Sequence, residues 1–190
     1  MRAMKRLVLV LLVVLVPSLV FGAQNTPRAS APAAIPTPAP KAGFRADFFA
    51  NLDEVEEKIL ALAEATPQEK FAWRPANGIR SVSEVYMHVA GGNYFLATFI
   101  GAKAPARNGD MEKTVTAKAD VIAELKASFQ HLRNAVNALS DADLEKTVKM
   151  FGKQTSYRSV LLTMISHLHE HLGQSIAYAR SNGVVPPWSQ

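Results

Sequence analysis

Ser156-Tyr157-Arg158-Ser159-Val160-Leu161-Leu162-Thr163-Met164-Ile165-Ser166-His167-Leu168-His169-Glu170-His171-Leu172-Gly173-Gln174-Ser175-Ile176-Ala177-Tyr178-Ala179-Arg180-Ser181 is the stretch on which the fold turns. Leu161, Ile165, Leu168, Leu172 and Ile176 recur at spacings of four and three, so they share one face of a helix. Asn182-Gly183 stops that helix and Pro186-Pro187 prevents its resumption.

Working backwards, the same pattern recurs. Val121, Leu125, Phe129, Leu132, Val136 and Leu139 mark a helix over Lys118 to Leu139. Val85, Val89, Gly92, Leu96 and Phe99 mark another, opened by a capping box, Ser81-Val82-Ser83-Glu84. Phe48, Leu52, Val55, Ile59 and Leu62 mark a first, ending before Thr66-Pro67, with Thr66 and Glu69 as a capping box for a short turn. Residues 101–117 read as a long polar connection, and Val148 to Tyr157 as irregular or extended chain. The expectation is an all-α four-helix bundle with a long connection between helices 2 and 3, long enough for a crossover.

Upstream, Gln24 to Gly43 carries five prolines and almost no large apolar side chain, which predicts an extended tether. Before it, Arg2, Lys5 and Arg6 precede an unbroken aliphatic run from Leu7 to Val16, then Pro17 and the small residues Gly22 and Ala23. That order predicts a secretory signal peptide over 1–23 and an exported, periplasmic or secreted protein. An uncleaved N-terminal membrane anchor is the alternative. The domain expected to fold is 44–190.

The chain has 190 residues, 48% hydrophobic and 19% charged, a globular composition. Its formal charge is +5, which invites a nucleic-acid reading. Three of the 21 basic residues lie in the leader, leaving 18 against 16 acidic ones, scattered and without a basic stripe. No nucleic-acid partner is expected. Cysteine is absent, so there is no disulfide, thiolate metal site or cysteine nucleophile, and a metal must be held by imidazole, carboxylate or backbone oxygen.

Of the five histidines, His167 and His171 lie about 40° apart and one turn up the same helix, flanking its core line. His169 is about 200° from His167 and cannot join them. His88 falls on the inward stripe of the second helix. Three inward imidazoles from two helices make a candidate facial site for a late divalent ion, Zn²⁺ or Ni²⁺, with open positions for water or substrate. For His88 alone, a core histidine with ordinary hydrogen bonds is the competing reading. His131 and His169 are expected in solvent. Glu170 is either a surface carboxylate or a base beside the site, and Glu84 is a second candidate base. Gly91-Gly92 in mid-helix costs stability relative to alanine and predicts a close approach by another backbone or a ligand. Tyr86, Asn93, Tyr94 and Trp188 are candidate pocket residues, with ordinary packing as the alternative.

Four motifs stand in order along the chain: Phe71-Ala72-Trp73-Arg74-Pro75 with Arg80-Ser81-Val82, Glu84-Val85-Tyr86-Met87-His88-Val89, His167-x-x-x-His171-x-Gly173-Gln174, and Ala179 to Pro187. By these motifs the chain resembles, over about 44–190, the DinB-like family of metal-binding four-helix bundles. The resemblance implies a divalent metal on His88, His167 and His171, and Gln174 orienting a ligand or closing the helix packing. The family includes transferases that use a small-molecule thiol, so the resemblance implies a small-molecule substrate and a metal-dependent transferase or hydrolase. A non-catalytic metal- or ligand-binding bundle with a stress-related role is the alternative, and a homodimer is an expected assembly. Many members carry Arg before Gly-Gln, where this chain has Leu172, so a substrate role for that Arg is not inherited.

Overall fold

Each apolar stripe becomes one long helix of the computed structural model, which describes residues 40–106 and 110–189. These are α1 (Phe44–Ala65), α2 (Val82–Thr98), α4 (Lys118–Asn137) and α5 (Tyr157–Ser181), with a single turn, α3 (Met111–Thr114), in the long connection. The expected signal peptide and most of the tether lie outside the described residues. Among the described residues no helix is long and apolar enough to cross a membrane.

The stripes are buried as their periodicity requires. Leu52, Val55, Val89, Leu125, Phe129, Leu132, Val136, Leu161 and Leu168 are completely buried in one continuous core, and Leu62 is completely buried too. α1 packs on α4 and α5, and α2 packs on the same two, which leaves α1 and α2 diagonally opposed. Helix directions follow from cross-helix pairs. Arg133 bonds Glu56 while Lys126 pairs with Glu64, so α4 runs antiparallel to α1. Arg158 covers the Phe44 ring, so α5 runs parallel to α1. His88 meets His171 and Gly92 meets His167, so α2 opposes α5. The bundle is therefore up-down-down-up. Because α2 and α4 are parallel, the chain must return along the bundle between them, and the connection serves as that crossover.

Helix ends obey local chemistry. Ser81 Oγ accepts from Glu84 N–H at 3.3 Å and Glu84 Oε2 accepts from Ser81 N–H at 2.7 Å, both halves of the expected capping box. The expected box at Thr66 and Glu69 does not form. Thr66 instead donates its hydroxyl to Leu62 O at 2.7 Å and closes the end of α1, and Pro67 precedes a 3₁₀ turn (Gln68–Lys70). Gly183, at φ 73, supplies the left-handed residue after α5.

The stretch expected to be irregular or extended is extended, and its two halves pair. β1 (Thr147–Met150) and β2 (Lys153–Ser156) form an antiparallel hairpin, with Met150 opposite Lys153. The two loop residues, Phe151 at φ 48 and Gly152 at φ 83, are both left-handed, as the tight turns that match strand twist require. A phenylalanine at the first of those positions is unfavourable by about 1–2 kcal/mol. Val148 and Met150 alternate with Thr147 and Lys149 and are half-buried against the core, but Lys153 to Ser156 carry no apolar side chain, so two apolar positions are too few for periodicity to define the hairpin.

Ser81→Ala removes an N-cap whose oxygen satisfies a buried donor. It is expected to lower the unfolding free energy by about 1 kcal/mol, read from the urea midpoint at constant slope.

Candidate metal centre

The antiparallel crossing of α2 and α5 brings His88, His167 and His171 together. One ligand-capable atom from each lies within 4.8 Å of the others. Ring centroids are 5.2 Å apart for His88–His167, 4.7 Å for His88–His171 and 4.5 Å for His167–His171. His167 and His171 project together because they are one turn apart. His88 reaches them from the facing helix.

The approach is possible because position 92 has no side chain. A Cβ there would stand 2.4 Å from His167 Cε1 and 3.0 Å from its Nδ1, far inside van der Waals contact. The expected close approach to the diglycine is therefore made by an imidazole, neither a backbone nor a ligand, and only Gly92 is needed for it. Gly91 faces Met111 at an ordinary 3.6 Å.

Two of the three imidazoles are oriented by a partner on the outer nitrogen. His88 donates Nδ1–H to Glu112 Oε1 at 2.9 Å. Glu112 in turn accepts from Arg80 Nε at 2.7 Å. Its carboxyl is held below the usual range: burial opposes ionisation, but Arg80 and then His88 outweigh it. His171 donates Nδ1–H to Gln174 Oε1 at 2.8 Å, and Gln174 donates to Tyr178 Oη at 3.1 Å. Tyr178 is held edge-on against Trp73. Each outer bond places the proton on Nδ1 and leaves the Nε2 lone pair facing inward.

His167 lacks such a partner. Its Nδ1 is buried without a hydrogen bond, and its Nε2 lies 3.4 Å from Nε2 of His88. Burial, followed by the neighbouring histidines and Arg80, pushes the His167 pKa down to about 4. His88 is lowered too, with burial first and Glu112 working against it. The environment thus favours neutral His88 and His167, the form that binds a cation. Two nitrogens on one tetrahedral zinc, each bonded at about 2.0–2.1 Å, stand about 3.4 Å apart. The spacing and the imidazole-only donor set both fit a late divalent ion, so the three histidines could hold one.

Above the histidines opens a cavity of about 600 Å³, within the range of small-ligand sites. Phe95, Leu96, Met87, Met111 and Phe151 form its apolar walls, and Asp110, Glu112 and Glu170 are its carboxylates.

The remaining expected site residues fall elsewhere. Glu84 does not line this cavity. Its oxygens are held by Lys113 at 2.7 Å, Arg74 at 3.0 Å and the Ser81 amide, which lower its pKa to about 2 and leave it no capacity as a base. Asn93 donates to Ser128 at 3.1 Å in the α2–α4 interface. Tyr86 is sealed in the core, Tyr94 packs toward α4 and Trp188 lies near the C-terminus away from the cavity lining. His169 is exposed, as expected. His131 is not in open solvent: it is half-buried with its ring 5.1 Å from that of Tyr94. Glu170 is exposed at the cavity edge. The sequence reading missed Glu112, which lies in the connection. Its one signal was Asp110, an N-cap that accepts from Glu112 N–H at 3.0 Å and starts the turn.

Fold and site define a helical bundle with a cluster of three imidazoles, two of which, His88 and His167, line a cavity. The DinB superfamily profile matches residues 51–175, and the chain belongs to that superfamily. Its backbone is similar to that of a DinB-like protein from Bacillus cereus ATCC 10987, at 19% identity and TM-score 0.66, over 74% of this chain and 93% of that one. It is also similar to a DinB-like protein from Bacillus subtilis, at 18% identity and TM-score 0.61, over 76% of this chain and 97% of that one. No curated protein matches the chain.

Two outcomes are expected. Gly92→Ala replaces a helix-unfavourable residue, so the urea midpoint should hold or rise, while His167 is driven out and zinc affinity falls by at least about tenfold. A midpoint and a zinc affinity that both stay put would contradict the close approach. For the metal-free protein, an unfolded histidine titrates near 6.5 and His167 near 4, so acidification protonates the unfolded chain first. Stability is present above about pH 6.5 and is lost as pH falls toward about 4. His167→Gln should make that loss shallower in urea titrations at stepped pH.

Proposed function

We propose that the protein binds one divalent ion, Zn²⁺ or Ni²⁺, through His88, His167 and His171, and that this centre serves a metal-dependent transferase or hydrolase acting on a small molecule. The observation that carries the reading is the convergence of three imidazoles, two of them oriented by Glu112 and Gln174, beside a ligand-sized cavity that His88 and His167 line. When bound, such an ion supplies Lewis acidity that favours the thiolate of a thiol or the hydroxide form of water near neutral pH.

This chain's own residues do the rest. Glu112 fixes the tautomer and tilt of His88, and Gln174 those of His171. Phe95, Leu96 and Met87 exclude water from one side of the cavity and strengthen the local electrostatics. Of the two exposed carboxylates on the lining, Asp110 caps α3 by accepting from Glu112 N–H, and Glu170 is available to accept a proton. Absence of cysteine means that any thiol comes from a cosubstrate. Export through the 1–23 leader would put the site in a compartment where small thiols are scarcer, which favours the hydrolytic branch.

Elemental analysis of purified protein should give about one late divalent ion per chain. His88→Ala, His167→Ala and His171→Ala should each abolish most of it, and Glu112→Gln should weaken binding by about 10- to 100-fold. His169→Ala and His131→Ala should leave it intact. Equal loss from His169→Ala would refute the assignment. Full metal binding with no turnover of thiol–electrophile pairs or hydrolysable esters and amides would favour a metal- or ligand-binding bundle instead.

A further inference from the structure

The hairpin tip presents a residue that the fold does not need. Phe151 sits in the left-handed region at φ 48, where Asn or Gly would turn the chain without strain, and its side chain is 66% exposed. It is excluded from the buried core. Its ring lies 6.1 Å from Phe95, itself 51% exposed, and 5.8 Å from Phe99, while Phe95 and Phe99 are edge-to-face at 5.2 Å. Phe95 and Phe151 both line the histidine cavity. Two exposed aromatic rings, from α2 and from the hairpin, thus form one side of its walls.

The polar lining has one sign. Asp110, Glu112 and Glu170 are acidic, and among the described lining residues there is no Lys or Arg. Arg80 is turned to Glu112, and Lys113 to Glu84. Position 172, next to the cluster on α5, is Leu, buried. Glu112 is already neutralised by Arg80, so a ligand bearing carboxylates or phosphates along its body would meet Asp110 and Glu170 with no Lys or Arg among the described lining residues, and a flat apolar group would meet rings on which to stack.

We propose that the cavity beside the histidines is a binding site for a small molecule whose body is apolar, of aromatic size and free of negative charge. Its polar head points to the three imidazoles. Phe95 and Phe151 are the specificity-determining residues. The position of the head rests on the metal-centre reading; the aromatic wall and its charge preference do not.

The test uses the metal-free and zinc-loaded protein. On metal-free protein, benzyl alcohol is titrated and followed by NMR at the aromatic resonances of Phe95 and Phe151. Saturable shifts at these rings are expected, and their absence would overturn the proposal whether or not zinc binds. On zinc-loaded protein, calorimetry measures benzyl mercaptan. On metal-free protein it compares benzyl alcohol with 4-(hydroxymethyl)benzoate, the same body carrying a carboxylate, and benzyl alcohol is expected to bind at least about tenfold tighter. Equal or tighter binding of the carboxylate would overturn the charge preference. Phe151→Asn places a turn-favoured residue at φ 48, so the fold is retained. It should weaken benzyl mercaptan about five- to twentyfold, with zinc affinity unchanged. Unchanged benzyl mercaptan affinity would remove Phe151 from the site. Failure to bind zinc would sink the metal reading alone and leave the benzyl alcohol result standing.

Discussion

The His167 imidazole rests on the bare backbone of α2 at Gly92, and the site depends on that contact. With any side chain at position 92, its first carbon would fall 2.4 Å from the ring. Either His167 would swing away or the helices would separate. Separation is opposed by the apolar core that α2 and α5 share, where Val89, Leu161, Met164 and Leu168 are buried. Packing therefore sets the helix separation, and glycine converts that separation into room for an imidazole. The price is a helix-unfavourable residue in mid-helix, a local rule broken at the point where the three histidines meet.

The crossover extends the same logic. Parallel α2 and α4 oblige the chain to run back along the bundle between them. That return places α3 against α2, and Glu112 reaches both Arg80 and His88. One carboxylate thereby ties the connection to the bundle and orients an imidazole. Lys113 on the same turn bonds Glu84, whose other contacts cap α2. Ion pairs at half-exposed positions contribute little stability individually. Their geometric role is larger, since they hold a single turn of helix over the histidines.

Burial then selects the protonation state. His88 and His167 lose solvent as the helices close, and each lies near another imidazole and Arg80, so the cationic form is disfavoured. Tightly grouped neutral imidazoles with inward lone pairs repel one another unless a proton or a cation lies between them. The bundle core thus holds the donors in the state and spacing that a divalent ion rewards, and the DinB superfamily architecture supplies the rigid elements for it.

Much of this was legible without coordinates. The four stripes follow from helical periodicity, and Ser81 with Glu84 and Asn182 with Gly183 set helix ends through local hydrogen bonding and backbone sterics. His167 and His171 share a face for the same periodic reason. Three features were not legible. The strand pairing at 147–156 has only two alternating apolar residues, Val148 and Met150, to signal it, Thr66 faced two possible partners, and Glu112 contacts His88 across 24 residues of chain. Local rules act over one or two turns, so residue order alone settles which side chains share a helix face and where each helix starts and stops. Which faces meet, which glycine admits a ring and which distant carboxylate holds a histidine depend on contacts between elements, and only packing in three dimensions decides those.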